Sequence, residues 1–163
     1  IPEQKAKLEM ARRYFTYMGP STVHDAMYYF HTTATQVKEW LSKLPVSAVE
    51  CEGKTYYYID NGQTYDQEMP KCLFLAGFDQ LLLANEKKES LFLRPEHMRE
   101  IFSLAGIVMP AVLMDGEVVG RWKKKNKKLS VTMFSTATQR EKNIITDAVG
   151  ALWDDIVSIT FDE

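Results

Sequence analysis

The sequence predicts an α+β protein in which three short helices and a β-hairpin precede a small antiparallel β-sheet or barrel with one long helix packed on it. Three observations support this prediction. Apolar residues recur at helical spacing before position 45 and again after Thr138. Asp115-Gly116 separates two apolar runs, a pattern typical of a β-hairpin. A basic segment, Arg121–Lys128, then carries six cations and no acid, although the whole chain has a net charge of −2.

The composition is that of a globular protein with a hydrophobic core. The 163 residues are 45% hydrophobic, and no apolar run reaches the roughly 18 residues of a membrane-spanning helix. We therefore expect no membrane contact. The chain begins Ile1-Pro2 without an initiator methionine or an apolar leader, which indicates a part excised from a longer protein. Cys51 and Cys72 suit a reducing compartment, and the expected location is cytoplasmic.

Helical periodicity predicts three helices before position 45. The first covers 2–18, the second is about two turns long, and the third follows a capping-box spacing. Polar caps, Gly and Pro mark where these helices begin and end. The residues concerned are Gly19, Pro20, Ser21, Thr22, Thr33, Gln36 and Pro45.

A tight turn at Glu52-Gly53-Lys54 between two short strands follows the third helix. Three helices and a hairpin in this order are typical of a winged helix, whose third helix can enter the major groove of DNA. The outward face of that helix carries Gln36, Lys38 and Glu39, a mixed set of charges. Two interpretations stay open: Gln36 and Lys38 contact DNA, or the helix packs against a neighbouring module.

The segment from Asp60 to Met69 is polar and lacks apolar periodicity, which predicts a linker between a module at 1–62 and a β-rich domain at 70–163. Asp79, between two apolar runs of this second domain, is expected to bind backbone amides in a turn. Thr138 and Glu141 have the spacing of a capping box and open a long amphipathic helix. The predicted strands cover 70–75, 107–113, 118–122, 129–134 and 157–161, and a short helix covers 96–104.

The basic segment is predicted to lie at a turn of this sheet, and two functions are open for it. Its lysines could protect a sheet edge from pairing with other chains. Alternatively they could contact phosphates, where each contact releases counterions and adds salt-dependent affinity. Trp122 could stack on a base or lie in the core. The candidate nucleic-acid contacts are Arg121, Trp122, Lys123, Lys124, Lys125, Lys127 and Lys128, with Gln36 and Lys38 of the third helix.

Four motifs occur in one order along the chain. They are Gly19-Pro20-Ser21-Thr22 with Asp25, Phe78-Asp79 with Leu82-Leu83, Pro95-Glu96-His97, and Asp115 to Gly120 before Trp122. Over nearly its whole length the chain resembles the winged-helix DNA-binding proteins related to the AlkZ and YcaQ bacterial DNA glycosylases. The resemblance implies tandem winged-helix modules that end in a β-rich domain with a DNA-probing hairpin. It also implies hydrolysis of N-glycosidic bonds of alkylated or cross-linked bases.

The sequence departs from that family pattern in two places. Ala84-Asn85-Glu86-Lys87-Lys88 stands where the family commonly has a Gly-Tyr-Arg-Asp-Arg type of sequence. The glycosylases also use a Gln-x-Gln or Gln-x-Asp motif in an upstream winged helix, and no glutamine here has such a partner. The glutamines are Gln4, Gln36, Gln63, Gln67, Gln80 and Gln139.

We therefore predict a DNA-binding C-terminal fragment of a DNA-repair protein that lacks the catalytic motif and whose partner is a missing N-terminal winged-helix domain. The alternative is a non-catalytic protein-interaction or structural module. His24, His31 and His97 are dispersed and no Cys-x-x-Cys pairing occurs, so we expect neither a metal nor a cofactor. No catalytic residue is assigned within the chain.

Overall fold

The computed structural model of the protein describes residues 2–64 and 68–162. These residues form two compact units. The first unit lies within Ile1–Gln67 and also takes in Leu83–Glu86, and the second unit lies within Glu68–Leu82 and Lys87–Glu163. Each unit has its own hydrophobic core. In the described ranges no helix is both long enough and apolar enough to cross a membrane.

The first unit contains three helices and a two-stranded antiparallel sheet, close to the predicted bounds. These elements are α1 (Glu3–Tyr17), α2 (Val23–Phe30), α3 (Ala34–Lys43), β1 (Ser47–Cys51) and β2 (Lys54–Tyr58). Thr22 caps α2: its hydroxyl accepts from the Asp25 amide at 3.1 Å, and the Asp25 carboxylate accepts from the Thr22 amide at 2.9 Å. Thr33 caps α3 through the Gln36 amide, but the Gln36 side chain donates to Glu39 instead of completing the predicted box.

Residues 83–86 complete the core of the first unit. Ala84 is buried among aromatic residues of α1, α2 and α3. The Tyr14 hydroxyl donates to the Ala84 carbonyl oxygen at 2.8 Å, and the Glu86 amide donates to the Asp25 carboxylate at 2.9 Å. Burial raises the pKa of Tyr14, so its hydroxyl keeps the proton that this hydrogen bond requires.

The second unit is built on a five-stranded sheet with strand order β3-β4-β5-β6-β7. Its elements are β3 (Cys72–Leu75), α4 (Gln80–Leu83, the last residue of which belongs to the first unit), α5 (Met98–Ile101), β4 (Ala111–Met114), β5 (Glu117–Lys125), β6 (Lys128–Met133), α6 (Gln139–Leu152) and β7 (Ser158–Asp162). Neighbouring strands from β3 to β6 are antiparallel, whereas β7 runs parallel to β6. The prediction of a wholly antiparallel sheet or barrel was therefore wrong. The crossover through α6 returns the chain in the direction of β6, which a tight hairpin could not do.

The turn at Asp115-Gly116 forms as predicted. Both residues have positive φ, 48° and 87°, as a two-residue hairpin of type I′ requires. The strand before this turn begins at Ala111 and not at 107, because Val108 makes only an isolated bridge to Phe102. The helix predicted over 96–104 is also shorter, since it consists of a 3-10 turn followed by α5.

Helix α6 packs on one face of the sheet, which we call the α6 face. Its residues Ile145 and Val149 share a core with Val112, Leu129 and Val131 of the strands. The predicted capping box forms: the Glu141 carboxylate accepts from the amide and the hydroxyl of Thr138, both at 2.7 Å. These hydrogen bonds lower the pKa of Glu141. Asp79 also takes its predicted role, accepting from the Leu81 amide at 2.9 Å.

Gly120 permits a close approach of β5 to β6 next to a register shift between β4 and β5. A Cβ at this position would lie 2.5 Å from the Thr132 carbonyl oxygen and 3.2 Å from Met133 Cα. We expect Gly120→Ala to reduce the free energy of unfolding by about 1–3 kcal/mol, because the backbone of β6 would have to move. Urea unfolding followed by circular dichroism measures this change.

Gly150→Ala is the matched control, because it lies within α6 and a Cβ there meets nothing within 4 Å. That change should stabilise the protein by about 0.5–1 kcal/mol through helix propensity. Equal effects of the two substitutions would contradict the close approach at Gly120.

Candidate nucleic-acid interface

The basic segment lies at a sheet turn, as predicted, but most of its residues belong to the two paired strands. Arg121 to Lys125 belong to β5 and Lys128 begins β6, so only Asn126-Lys127 form the turn. The turn is tighter than the sequence indicated, because β5 continues to pair with β6 as far as the opposed residues Lys125 and Lys128. Asn126 has a positive φ of 54°, which suits this two-residue connection.

Alternation along β5 divides the basic segment between the two faces of the sheet. Trp122 and Lys124 lie opposite Val131 and Leu129 of β6, which are buried on the α6 face. Lys123 therefore points away from α6, as do Lys125 and Arg121. A single run of cations in the sequence becomes two sets with different surroundings.

Trp122 is half-buried and packs against the core on the α6 face. Its indole N–H donates to the Leu75 carbonyl oxygen at 2.9 Å. Its ring lies edge-on to Phe74 at 5.9 Å and tilted against Trp153 at 5.3 Å, measured between ring centroids. Of the two roles that the sequence left open for Trp122, this half-buried position against the core agrees with the second, and the contact with bases stays a prediction.

Two cations of the basic segment are paired with acids. Lys124 Nζ lies 3.1 Å from Asp155 Oδ2, and Arg121 Nη1 lies 3.1 Å from Glu100 Oε2. Ion pairs this exposed contribute about 0–1 kcal/mol to stability, so they orient the side chains more than they stabilise the fold. Neither pair leaves its cation fully available to a ligand.

The remaining four lysines of the segment are exposed. In the ranges 2–64 and 68–162 none of them has a hydrogen bond or an ion pair to its side chain. These residues are Lys123, Lys125, Lys127 and Lys128. They form the largest group of unpaired positive charge among the sequence-predicted contacts.

The two predicted contacts on α3 belong to the first unit, whereas the basic segment belongs to the second. Lys38 is exposed, and Gln36 donates through its side-chain amide to Glu39 at 3.0 Å. Glu39 also pairs with Lys43 at 2.6 Å, so an acid lies at the centre of this helix face. The charge of the α3 surface therefore remains mixed.

Sequence reasoning missed three hydroxyl side chains beside the lysines. Ser130 and Thr132 alternate with buried Leu129 and Val131 on β6, and this pattern alone could have indicated their orientation. Thr160 reaches the same face only through the parallel register in which it lies opposite Ser130. Its hydroxyl donates to the Ser130 hydroxyl oxygen at 3.1 Å.

The fold and this surface together define a mixed α+β protein with a basic, hydroxyl-bearing sheet face. The profile of the AlkZ-like family, described as DNA glycosylase AlkZ-like, matches residues 2–153. The chain therefore belongs to the AlkZ-like DNA glycosylase family, as the ordered motifs predicted.

A curated relative agrees with this assignment, and a solved structure shares the fold. The Interstrand DNA cross-link repair glycosylase of Streptomyces sahachiroi is 27% identical over 143 residues, which cover 82% of this chain and 38% of the relative. The structure of Streptomyces sahachiroi DNA glycosylase AlkZ is similar in fold, with a TM-score of 0.75 and 23% identity over 97% of this chain and 46% of that one. The chain thus spans less than half the length of either protein.

The core position of Trp122 predicts the effect of its removal. We expect Trp122→Ala to reduce the free energy of unfolding by about 2–4 kcal/mol, because packing against Phe74 and Trp153 and one hydrogen bond are lost. Leu104→Ala is the control, since Leu104 is 87% exposed and its truncation should change stability by less than about 0.5 kcal/mol. A Trp122→Ala variant as stable as the parent would contradict the core placement.

Proposed function

We propose that this chain is a DNA-binding part of a glycosylase-type DNA-repair protein and does not release bases by itself. The observation that carries the proposal is the group of unpaired lysines on β5, β6 and their turn, in a member of the AlkZ-like family. Lysines that reach phosphates give affinity that is independent of base sequence. The partner is then DNA, together with an N-terminal winged-helix domain of the same protein.

The first unit supports a winged-helix interpretation of residues 1–62. Its order of three helices and a β-hairpin is that of a winged helix. In this proposal 1–62 and 70–163 are the two domains, and Gln36 and Lys38 make secondary contacts. The acid at Glu39 reduces the positive charge of α3, so most of the phosphate contacts are assigned to the basic segment.

The absence of catalysis is inferred from the sequence. The resemblance to the family implies a Gln-x-Gln or Gln-x-Asp motif, and the chain has no glutamine with a Gln or Asp two residues later. Such a motif would help to stabilise an oxocarbenium-like centre or to position water. We therefore place the catalytic residues outside this chain.

The chain alone is expected to release no base from alkylated duplex DNA, because it lacks a residue for that chemistry. The measurement is chromatographic detection of the freed methylated base, with an active glycosylase of the same family as the positive control. Release above the buffer level would show that catalytic residues lie within the chain.

DNA binding by the chain should weaken steeply with salt. Three phosphate contacts would give a slope of log affinity against log salt near −2.7. Combined substitution of Lys123, Lys124 and Lys125 by Gln should remove most of this slope, as measured by fluorescence anisotropy with labelled DNA.

Lys5, Lys71 and Lys88 provide a control with the same change in net charge. All three are exposed, and replacing them together by Gln should leave the slope nearly unchanged. If the two triple variants bind as the parent does, the basic segment is a solvated part of the sheet.

The alternative is an interaction module that packs against neighbouring domains. Outside the basic segment the chain has a net charge of about −8, which opposes DNA over most of its surface. Failure of the parent chain to bind any DNA in low salt would favour this alternative.

A further inference from the structure

The face of the sheet opposite α6 carries a polar, cationic surface on β5, β6 and β7. We call this surface the open face. The paired registers place Lys123 opposite Ser130, Ser130 opposite Thr160, and Lys125 opposite Lys128. These side chains are exposed or half-buried. Charged groups at the margins of the open face are Arg121, which pairs with Glu100, and Asp162 at the end of β7.

Lys125 and Lys128 are directly opposed on neighbouring strands. Like charges that lie directly opposite each other destabilise a sheet. Within the described residues no acid is paired with either lysine, although Lys124 on the other face has Asp155. An anion bound at the open face would reduce this repulsion.

The hydroxyls of the open face match the chemistry of phosphate oxygens. Ser130, Thr132 and Thr160 can each donate a hydrogen bond, and hydroxyl donors beside lysines are common among contacts to the DNA backbone. Thr160 at present donates to Ser130, so the Ser130 hydroxyl proton remains available to a ligand. The surface can therefore supply both charge and directed hydrogen bonds.

The aromatic residues of these strands lie on the other face. Trp122 and Phe161 both pack into the core on the α6 face. Proteins that hold single strands use aromatic side chains on which bases stack. Within the described strands β5, β6 and β7 the face opposite α6 carries none, although Phe134 directly follows β6 and stacks on His97 at 4.5 Å between ring centroids. The strands themselves are therefore suited to the sugar-phosphate backbone and not to splayed bases.

We infer that the open face binds the phosphate backbone of duplex DNA through Lys123, Lys125 and Lys128, while on the α6 face Trp122 packs against the core and Lys124 pairs with Asp155. This inference rests on the proposed function and assigns DNA binding to one face of the paired strands β5 and β6. According to this inference, the cations of the basic segment do not contribute equally to DNA binding. The inference also predicts a preference for duplex over single-stranded DNA.

The test compares cations that are neighbours in sequence but lie on opposite faces. One variant combines Lys123→Gln with Lys125→Gln, and the other carries Lys124→Gln together with Lys71→Gln, so both lose two charges. Each is titrated with a labelled duplex of about two helical turns and with one of its single strands, between about 50 and 200 mM salt. Thermal unfolding checks that both variants remain folded.

In the open-face variant the slope of log affinity against log salt should become less negative by about 1.8. This variant should also bind the duplex roughly 30-fold more weakly than the parent near 150 mM salt. The Lys124 variant should keep the slope of the parent, and the parent should bind the duplex more tightly than the single strand. Equal losses in the two variants, or a preference for the single strand, would overturn the inference and leave the proposed function in place. A parent chain that binds neither DNA overturns both.

Discussion

Strand β5 presents its side chains alternately to two different environments, and the candidate interface depends on this alternation. On one side Trp122 donates to the Leu75 carbonyl oxygen and packs with Phe74 and Trp153. Because the indole is fixed, a one-residue slip of β5 against β6 would exchange the two faces. The same core contact that holds the strand therefore determines which lysines face away from α6.

Helix α6 also contributes to this arrangement, because it covers the face of the sheet on which Trp122 lies. Its capping box at Thr138 begins the helix directly after β6, and β7 then follows it in the parallel register. Through that register Thr160 comes to lie beside Ser130. Hydroxyls and lysines from three strands thus share one surface, although they are separated by about 30 residues in sequence.

The first unit depends on backbone groups of a segment that departs from the family pattern. The Ala84 carbonyl oxygen accepts from Tyr14, and the Glu86 amide donates to Asp25. Both interactions use main-chain atoms, so the side chains of this segment can vary while its contribution to the core is retained. This explains how Ala84-Asn85-Glu86 can stand in place of an arginine-containing sequence without loss of the fold.

Local chemistry made much of the fold predictable. Thr22, Thr138 and the Asp115-Gly116 turn act through neighbouring residues, so their roles could be predicted from the sequence. The turn in the basic segment was predicted, but the length of its strands was not, because lysines have low strand propensity, whereas pairing with β6 and the packing of Trp122 decide their conformation. The position of Thr160 could not be predicted, because it depends on a crossover between distant strands.

Lysine acetylation with and without duplex DNA, followed by mass spectrometry, tests the central claim directly. Bound DNA should protect Lys123, Lys125 and Lys128 and leave the reactivity of Lys71 and Lys88 unchanged. Lys124, whose ammonium is paired with Asp155 on the α6 face, should react to the same extent in both conditions. Protection of Lys124 equal to that of Lys123 and Lys125 would contradict the assignment of DNA binding to one face of the sheet.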